Sequence, residues 1–265
     1  MFNRFQLAKK YLHYYLTASN GKGHGIHSPF VFGFIQHVLN DKKDYPCYST
    51  VEQKRKDLLN NETLIEVEDF GAGSTVIKSN KRVVKDIAAS SLKTKKYAQL
   101  LFRIANYYKP KKILELGTSF GISSAYLASA DNIPEVHTCE GASPIACVAN
   151  RNFKELGLRN IHLTEGDFTE TLPSLLTKLD KIDLAFVDGN HRKEPTLNYF
   201  HQLLNHSTGS TILIFDDIHW SAGMEEAWAM IKKHSSVTVT IDLFFIGIVI
   251  LSTDFNHKQD YIIRF

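Results

Sequence analysis

Acidic residues stand at or beside the ends of five successive predicted strands in the second half of the chain. They are Glu115, Glu140, Asp167, Asp188 and the pair Asp216 and Asp217. Each one could simply cap the helix that follows, since Asp is favoured at that position. Acids at five successive strand ends are harder to explain as caps alone, because ligands of open parallel sheets bind beyond the carboxyl ends of the strands. The pattern therefore predicts a ligand site along this edge of a sheet.

The first of these strands leads into a glycine-containing turn. The turn and the helix start after it hold Gly117, Thr118, Gly121, Ser123 and Ser124. A strand that enters a helix through glycine brings free backbone N–H groups and the positive end of the helix dipole to one point. Such a point suits the carboxylate or phosphate of a nucleotide-like cofactor. Many α/β proteins have this corner without a ligand, so the turn is informative only together with the acids.

The next two strand ends suggest how a nucleoside could be held. Glu140, followed by Gly141, lies 25 residues after Glu115 and could accept hydrogen bonds from two ribose hydroxyls. Asp167 could accept from an adenine amino group, and the ring of Phe168 could pack near the base.

The turn itself favours one cofactor over another. A dinucleotide site would prefer the spacing G-x-G-x-x-G, whereas here the glycines are Gly117 and Gly121 and Glu115 stands beside them. A carboxylate next to the turn suits a cationic amino-acid ligand better than a pyrophosphate. S-adenosylmethionine therefore fits better than a nicotinamide dinucleotide.

Strands and helices alternate regularly from residue 111 onward, which predicts a doubly wound, mostly parallel α/β sheet. Strands are expected at 112–117, 135–140, 160–166, 182–188 and 210–216, and helices at 121–130, 144–156, 169–178, 194–205 and 221–234. Residues 237–243 and 246–251 read as a terminal antiparallel pair, which gives seven strands. Helical spacing of apolar residues over 5–16 and from 29 to about 40 predicts a mainly helical N-terminal extension, residues 1–93, before a cofactor-binding domain, residues 94–265.

Charge is unevenly divided along the chain. Residues 1–112 hold 20 Lys and Arg against 9 Asp and Glu, a net +11, whereas residues 113–265 hold 11 against 19, a net −8. The opposite charges of the two halves suggest two roles, or a basic N-terminal extension that docks on the acidic C-terminal part.

Three cysteines without metal-type spacing fit a reducing compartment, and Cys139 and Cys147 are expected to be buried. Without a visible signal peptide or membrane-spanning run, a cytoplasmic location is expected.

A second glycine-rich stretch occupies residues 69–74, DFGAGS. No series of acid-terminated strands follows it; residues 81–108 are instead predicted to be a basic helical stretch, so we interpret residues 69–74 as a false cofactor turn. It could still be a loop that folds over the site.

The order of motifs over residues 94–252 resembles the class I S-adenosylmethionine-dependent methyltransferases. E-L-G-T-x-x-G-x-S-S at 115–124 and the terminal antiparallel pair carry this resemblance. The lead-in at 98–101 is similar to the metal-dependent O-methyltransferases of the catechol and caffeoyl-coenzyme A types. D-G-N-H at 188–191 and D-D at 216–217 resemble the macrolide-sugar O-methyltransferases.

The resemblance implies roles by position. Glu115, Gly117, Thr118 and Gly121 would line the methionine part of the cofactor, with Ser123 or Ser124 near its carboxylate. Glu140 with Gly141 would hold the ribose, and Asp167 with Phe168 the adenine. Asp188, also counted among the cofactor contacts, would bind a divalent cation such as Mg²⁺ together with Asp216 and Asp217, and His191 would be the base. The catechol type has Asp-Asn where this chain has Asp216 and Asp217.

Three classes of function stay open at this point. The first is a small-molecule O-methyltransferase in which residues 1–93 form a lid or part of the acceptor site. The second is an RNA or protein methyltransferase that uses the basic N-terminal region, although the N/D-P-P-Y/F motif common in nitrogen methyltransferases is missing from the expected place. The third is a non-catalytic cofactor-binding protein. The alternative for His191 is a solvent-exposed residue in the first turn of a helix, His219 is a weaker candidate base, and a homodimer is plausible.

Overall fold

The computed structural model describes residues 1–67, 81–252, 255 and 257–265. The helices are α1 Arg4–Thr17, α2 Pro29–Phe34, α3 Pro46–Leu59, α4 Val84–Ser91, α5 Lys95–Tyr108, α6 Ile122–Ala128, α7 Ser143–Glu155, α8 Phe168–Leu179, α9 Lys193–Asn205 and α10 Ala222–Lys233. The strands are β1 Leu64–Glu66, β2 Lys81–Val83, β3 Lys112–Leu116, β4 Glu135–Glu140, β5 Ile161–Glu165, β6 Leu184–Val187, β7 Ile212–Asp216, β8 Val239–Asp242, β9 Ile246–Ile250 and β10 Gln259–Ile262. Residues 69–74 lie outside the described part of the chain.

The fold class agrees with the prediction: the chain is α/β, and eight strands form a mostly parallel sheet. The chain divides into two compact units, residues 42–179 and the combination of residues 1–41 with 180–265. The predicted division after residue 93 assigns acceptor binding to residues 1–93 and cofactor binding to residues 94–265. This assignment of roles stays a prediction.

Residues 42–179 contain the strands that carry the candidate cofactor residues other than Asp188. Strands β3, β4 and β5 are neighbours in that order and run parallel. β3 is almost entirely buried, as expected for a strand covered on both faces. Helix α5 ends because Lys109 adopts a left-handed conformation, with φ of 52°, and Pro110 follows it. The chain is thereby turned into the start of β3.

The basic stretch after residue 80 differs in part from the prediction. A helical segment was expected from residue 81, but residues 81–83 form β2, which pairs antiparallel with β1. Val83 then precedes α4, which buries Val84, Ile87 and Ala88. The short strand was missed because three residues of a two-stranded ribbon leave almost no periodic signal.

The other unit, residues 1–41 and 180–265, has its own run of strands in the order β10, β8, β9, β7, β6. β6 and β7 are parallel, and β9 is antiparallel to both of its neighbours, β7 and β8, which confirms the predicted antiparallel pair. The eighth strand, β10, was not predicted. Its residues alternate between half-buried and exposed beside β8, and its sequence QDYI is too short and polar to stand out.

The N-terminal helices of this unit form where they were predicted. A reciprocal pair of hydrogen bonds between Asn3 and Gln6 caps α1. Ser28 caps α2 and Pro29 occupies its first position. The helix continues as a π-helical segment, Ile35–Leu39. Among the described residues, no helix is both long and apolar enough to cross a membrane.

The cysteines are free thiols. Cys139 is buried in β4 as expected, and its burial raises the pKa of the thiol to about 12. Cys147 is exposed, contrary to the prediction, because α7 turns Ala146, Ala149 and Phe153 inward instead.

Candidate functional site

The turn between β3 and α6 has a backbone that only certain residues tolerate. Gly117 and Gly121 adopt φ angles of 103° and 82°, in the region that glycine reaches without a Cβ penalty. Ser119 adopts φ of 48°, which is uncommon for a residue with a side chain. The N–H groups of Gly117 and Thr118 both donate to the carbonyl of Cys139, at 3.0 and 3.1 Å. The turn is therefore fixed against the end of β4.

Gly121 also permits close packing. A Cβ atom placed on it would lie 2.3 Å from the Phe153 ring of α7. The amide of Asn152 donates to the carbonyl of Phe120 at 2.9 Å, which ties α7 to the same turn. The second glycine of the motif is thus explained by space as well as by φ.

Glu115 is the centre of a buried polar network below the turn. It is fully buried, and its Oε2 accepts hydrogen bonds from the hydroxyl of Thr138, at 2.7 Å, and from the hydroxyl of Ser124. The hydroxyls of Thr118 and Thr138 are 2.6 Å apart. The structure thus brings together three of the predicted residues, and it places the Ser124 hydroxyl on Glu115. Ser123, also buried, lies in the first turn of α6.

Glu140, the last residue of β4, is bonded to the same turn. Its Oε2 accepts from the backbone N–H of Ser119 at 2.8 Å, and its Oε1 accepts from that of Ala142 at 3.0 Å. Burial raises the pKa of this carboxyl, and the N–H groups of Ala142, Ser119 and Gly141 oppose the increase. A half-buried acceptor therefore lies next to the glycine turn.

Asp167 caps the helix that follows it. Its Oδ1 accepts from the backbone N–H of Thr169 at 2.7 Å and from the hydroxyl of Thr169 at 2.5 Å. These bonds hold the pKa of Asp167 below its usual value. The capping interpretation is thus observed for this residue, and its second carboxylate oxygen is not needed for the cap. Phe168, half-buried, begins α8.

The three remaining acids and His191 lie together in the other unit. Asp188 follows β6, Asp216 ends β7, and one ligand atom each from Asp188, His191 and Asp216 lies within 4.8 Å of the others. His191 Nε2 is 3.6 Å from Asp188 Oδ1, and His191 Nδ1 is 4.0 Å from Asp217 Oδ2. Asp216 is almost completely buried, whereas Asp188, His191 and Asp217 are half-buried.

Two residues of this cluster region have unusual backbones. Asn190 and Asp217 adopt φ angles of 60° and 53°. The N–H of Asp217 donates to the carbonyl of Phe245 at 2.7 Å, and the amide of Asn190 donates to the hydroxyl of Tyr199 at 3.2 Å. A residue with a side chain keeps a left-handed conformation only where surrounding bonds stabilise it, and such residues concentrate at functional sites.

The carboxylate oxygens of Asp188, Asp216 and Asp217 are donors of the type that Mg²⁺ prefers, so these residues fit a divalent cation.

His219 is held in a different way. Its Nδ1 is 3.0 Å from Glu225 and its Nε2 is 2.8 Å from Asp242, and its ring stacks on Phe244. Burial lowers the pKa of His219, but the hydrogen bonds and charges of Asp242 and Glu225 outweigh it and raise the pKa overall. Both ring nitrogens are therefore engaged by carboxylates. Sequence reasoning had no signal for Asp242, since its partner lies 23 residues away.

Two residues of the basic N-terminal half contact the cofactor-turn region, and sequence reasoning missed both. The hydroxyl of Ser91, at the end of α4, is 2.8 Å from that of Ser119. Glu52 of α3 accepts from the hydroxyl of Tyr126 in α6 at 2.9 Å. Contacts over such distances along the chain leave no local pattern.

Comparison with known proteins adds independent information. Residues 114–218 match the family model of a methyltransferase domain. A catechol O-methyltransferase of Niastella koreensis is 30% identical over 128 residues, which are 46% of this chain and 55% of that protein. The chain thus spans about half the length of this curated relative.

Solved structures with the same fold include several methyltransferases. The Podospora anserina methyltransferase PaMTH1, solved with SAH bound, aligns with a TM-score of 0.58 at 14% identity over 95% of this chain and 97% of that one. A putative O-methyltransferase from Klebsiella pneumoniae aligns with a TM-score of 0.54 at 17% identity over 82% of this chain and 94% of that one. At these identities the similarity is one of fold. Together with the match of residues 114–218 to a methyltransferase domain, it confirms the predicted resemblance of this chain to the class I S-adenosylmethionine-dependent methyltransferases.

Proposed function

We propose that this protein is an S-adenosylmethionine-dependent O-methyltransferase that acts on a hydroxyl group of a small molecule with the help of a divalent cation. The observation that carries the proposal is the pair of acids at the glycine turn. Glu115 is buried below the turn, and Glu140 is bonded to it. The curated relative named a catechol O-methyltransferase supports the choice of a hydroxyl acceptor.

The cofactor would be held by the residues around this turn. Glu115 fixes the turn from below through Ser124 and Thr138, and the turn would contact the methionine part of the cofactor. Gly117, Thr118, Gly121 and Ser123 line this part in the proposal, and Ser124 acts by positioning Glu115.

The nucleoside would be bound by the two acids that follow. Glu140 accepts backbone hydrogen bonds from Ser119 and Ala142 on its two oxygens, and because each carboxylate oxygen has two lone pairs, Glu140 could also accept from a ribose hydroxyl. Gly141, the next residue, would be part of the same contact with the ribose. Asp167 would accept from the adenine amino group, beside Phe168.

Asp188, Asp216 and Asp217 would hold the cation, which when bound lowers the pKa of an acceptor hydroxyl. His191 takes the proton of that hydroxyl in this proposal. Carboxylate oxygens of Asp188 and Asp217 lie 3.6 Å and 4.0 Å from its two ring nitrogens. Alignment of the two reactants would supply most of the acceleration, about 7–11 kcal/mol at best.

The region before residue 94 is proposed to help form the acceptor site, and the bond between Ser91 and Ser119 supports this for its second half. A homodimer and a cytoplasmic location stay predictions.

Transfer of a labelled methyl group from S-adenosylmethionine to a panel of catechols tests the proposal, with Mg²⁺ or with EDTA. We expect labelled small-molecule product that disappears with EDTA. His191→Ala should lower turnover by about 10²- to 10⁴-fold, while His13→Ala, an exposed histidine on α1, should leave it unchanged. Label that enters RNA or protein and persists in EDTA would contradict both the acceptor class and the role of the acids.

A further inference from the structure

A cluster of two histidines and a glutamate lies at the start of β4, apart from the residues discussed so far. Glu135 and His137 are two positions apart in β4, so their side chains lie on the same face of the sheet. His162 in β5 is the direct cross-strand partner of His137. Three residues are thereby brought to one patch by strand register alone.

The atoms of this cluster are close enough to share one ion. Glu135 Oε1 is 2.8 Å from His137 Nε2 and 3.7 Å from His162 Nε2, and the three ligand atoms lie within 4.8 Å of one another. Around a tetrahedral Zn²⁺ with bonds of about 2.1 Å, neighbouring ligand atoms are about 3.4 Å apart. The observed spacings bracket this value, so small side-chain rotations would be enough to close the site.

The chemistry of the donors selects the class of metal. Two imidazoles and one carboxylate suit Zn²⁺ and other late transition metals, and not Mg²⁺ or Ca²⁺, which prefer oxygen donors alone. His137 is almost completely buried, so its ring is enclosed by neighbouring residues. Glu135 and His162 are about half exposed, which leaves room for solvent as a further ligand.

This cluster is separate from the candidate cofactor residues. Glu135 begins β4 and Glu140 ends it, which puts their Cα atoms about 16 Å apart at the usual rise of a strand. Lys112 and Lys178 lie near enough to influence Glu135 and His137 electrostatically. Their positive charges oppose binding of a cation, so we expect moderate affinity.

We propose that Glu135, His137 and His162 form a binding site for a transition-metal ion such as Zn²⁺, with solvent completing its coordination. The ion would join β4 to β5 at the beginning of both strands. The alternative is that Glu135 and His137 form only a hydrogen bond and that the stacked imidazoles of His137 and His162, with centroids 4.8 Å apart, only pack together.

Zn²⁺ binding to the full chain tests this proposal, measured by equilibrium dialysis with metal analysis. Because Asp188, His191 and Asp216 could also hold Zn²⁺, the measurement uses a background variant with His191→Ala and Asp216→Asn. This background should retain one equivalent of Zn²⁺. Adding His162→Ala should weaken its binding by about 100-fold or more, since loss even of an outer partner costs about 10- to 100-fold. Adding His13→Ala, an exposed histidine far along the chain, should change nothing.

A second measurement on the unmodified chain guards against variants that fold poorly. Zn²⁺ should shift the ring nitrogen NMR signals of His137 and His162 together, at the same stoichiometry, and raise the unfolding temperature. A background variant that binds no Zn²⁺, or unchanged binding after His162→Ala, would overturn the proposal. So would ring signals of His137 and His162 that do not respond to the metal.

Discussion

Replacing Gly121 by alanine tests whether the cofactor turn is fixed by packing as well as by backbone conformation. The new Cβ would lie 2.3 Å and 2.6 Å from two carbons of the Phe153 ring, well inside van der Waals contact. Phe153 is buried, and the nearby turn is tied to α7 by the bond from Asn152. The ring therefore cannot move away without disturbing its neighbours.

The expected size of the effect follows from two contributions. A left-handed conformation costs an L-residue about 1–2 kcal/mol, and overpacking of a well-filled core costs about 1–3 kcal/mol. Alanine also restricts the unfolded chain more than glycine does, which offsets the loss of stability by about 0.4–1 kcal/mol. Gly121→Ala should therefore lower the free energy of unfolding by about 3 kcal/mol, within a range of about 1–5 kcal/mol.

Gly157→Ala is the matched control. Gly157 also has a positive φ, 70°, but a Cβ there would have nothing within 4 Å. Only the conformational cost applies, so a loss of about 1 kcal/mol is expected. Urea unfolding of both variants without ligand measures the difference. In a double-mutant cycle, Phe153→Leu should recover about 1–2 kcal/mol of the Gly121→Ala loss. If both glycine variants lose the same stability and the cycle shows no coupling, the packing argument is wrong.

Three further predictions concern individual hydrogen bonds and the candidate base. Asp167→Ala should lower the free energy of unfolding by about 1 kcal/mol at pH 7, as for other N-caps. Because hydrogen bonds from Thr169 lower the pKa of Asp167 in the folded state, the difference from wild type in urea unfolding should shrink as the pH falls below 3.8, the ordinary pKa of an aspartate. A difference that stays constant down to about pH 2 would contradict this. Ser124→Ala removes a hydrogen-bond donor to the buried Glu115 carboxylate and should lower the free energy of unfolding by about 1.5–3 kcal/mol in the same assay. It should also weaken the binding of S-adenosylhomocysteine, measured by calorimetry. An unchanged affinity would exclude a positioning role for Ser124. Under the proposed function, His191→Ala should preserve cofactor affinity while turnover falls, and a parallel loss of both would show that the residue is not a base.

The cofactor edge of the sheet is largely predictable from the amino-acid sequence, because it depends on local order. Strand, glycine turn and helix are consecutive along the chain, so the sequence alone identifies Glu115, Gly117 and Gly121 as neighbours. Glu140 is predictable as a strand-end acid, although its bond to the N–H of Ser119 is not. What local order cannot show is register between strands.

Contacts that depend on register or on distant packing were therefore missed. The pairing of His137 with His162 follows only once β4 and β5 are aligned. The bonds of His219 to Asp242, and of Ser91 to Ser119, join residues that share no periodic pattern. Strand β10 was missed because a four-residue strand on one edge carries too little apolar signal.

The connection between α1 and β10 has a consequence for how this protein folds during synthesis. The hydroxyl of Tyr14 donates to the carbonyl of Ile263, Ser19 donates to Ile262, and Arg264 donates back to Ser19. Tyr14 and Ile263 are 249 residues apart in the sequence, so α1 leaves the ribosome long before its binding strand exists. Residues 42–179 are continuous in sequence and can close their core first. Helix α1, with Phe5, Leu12 and Leu16 exposed even in the finished fold, must therefore wait until β10 has been synthesised, and during this interval its apolar residues are accessible to chaperones.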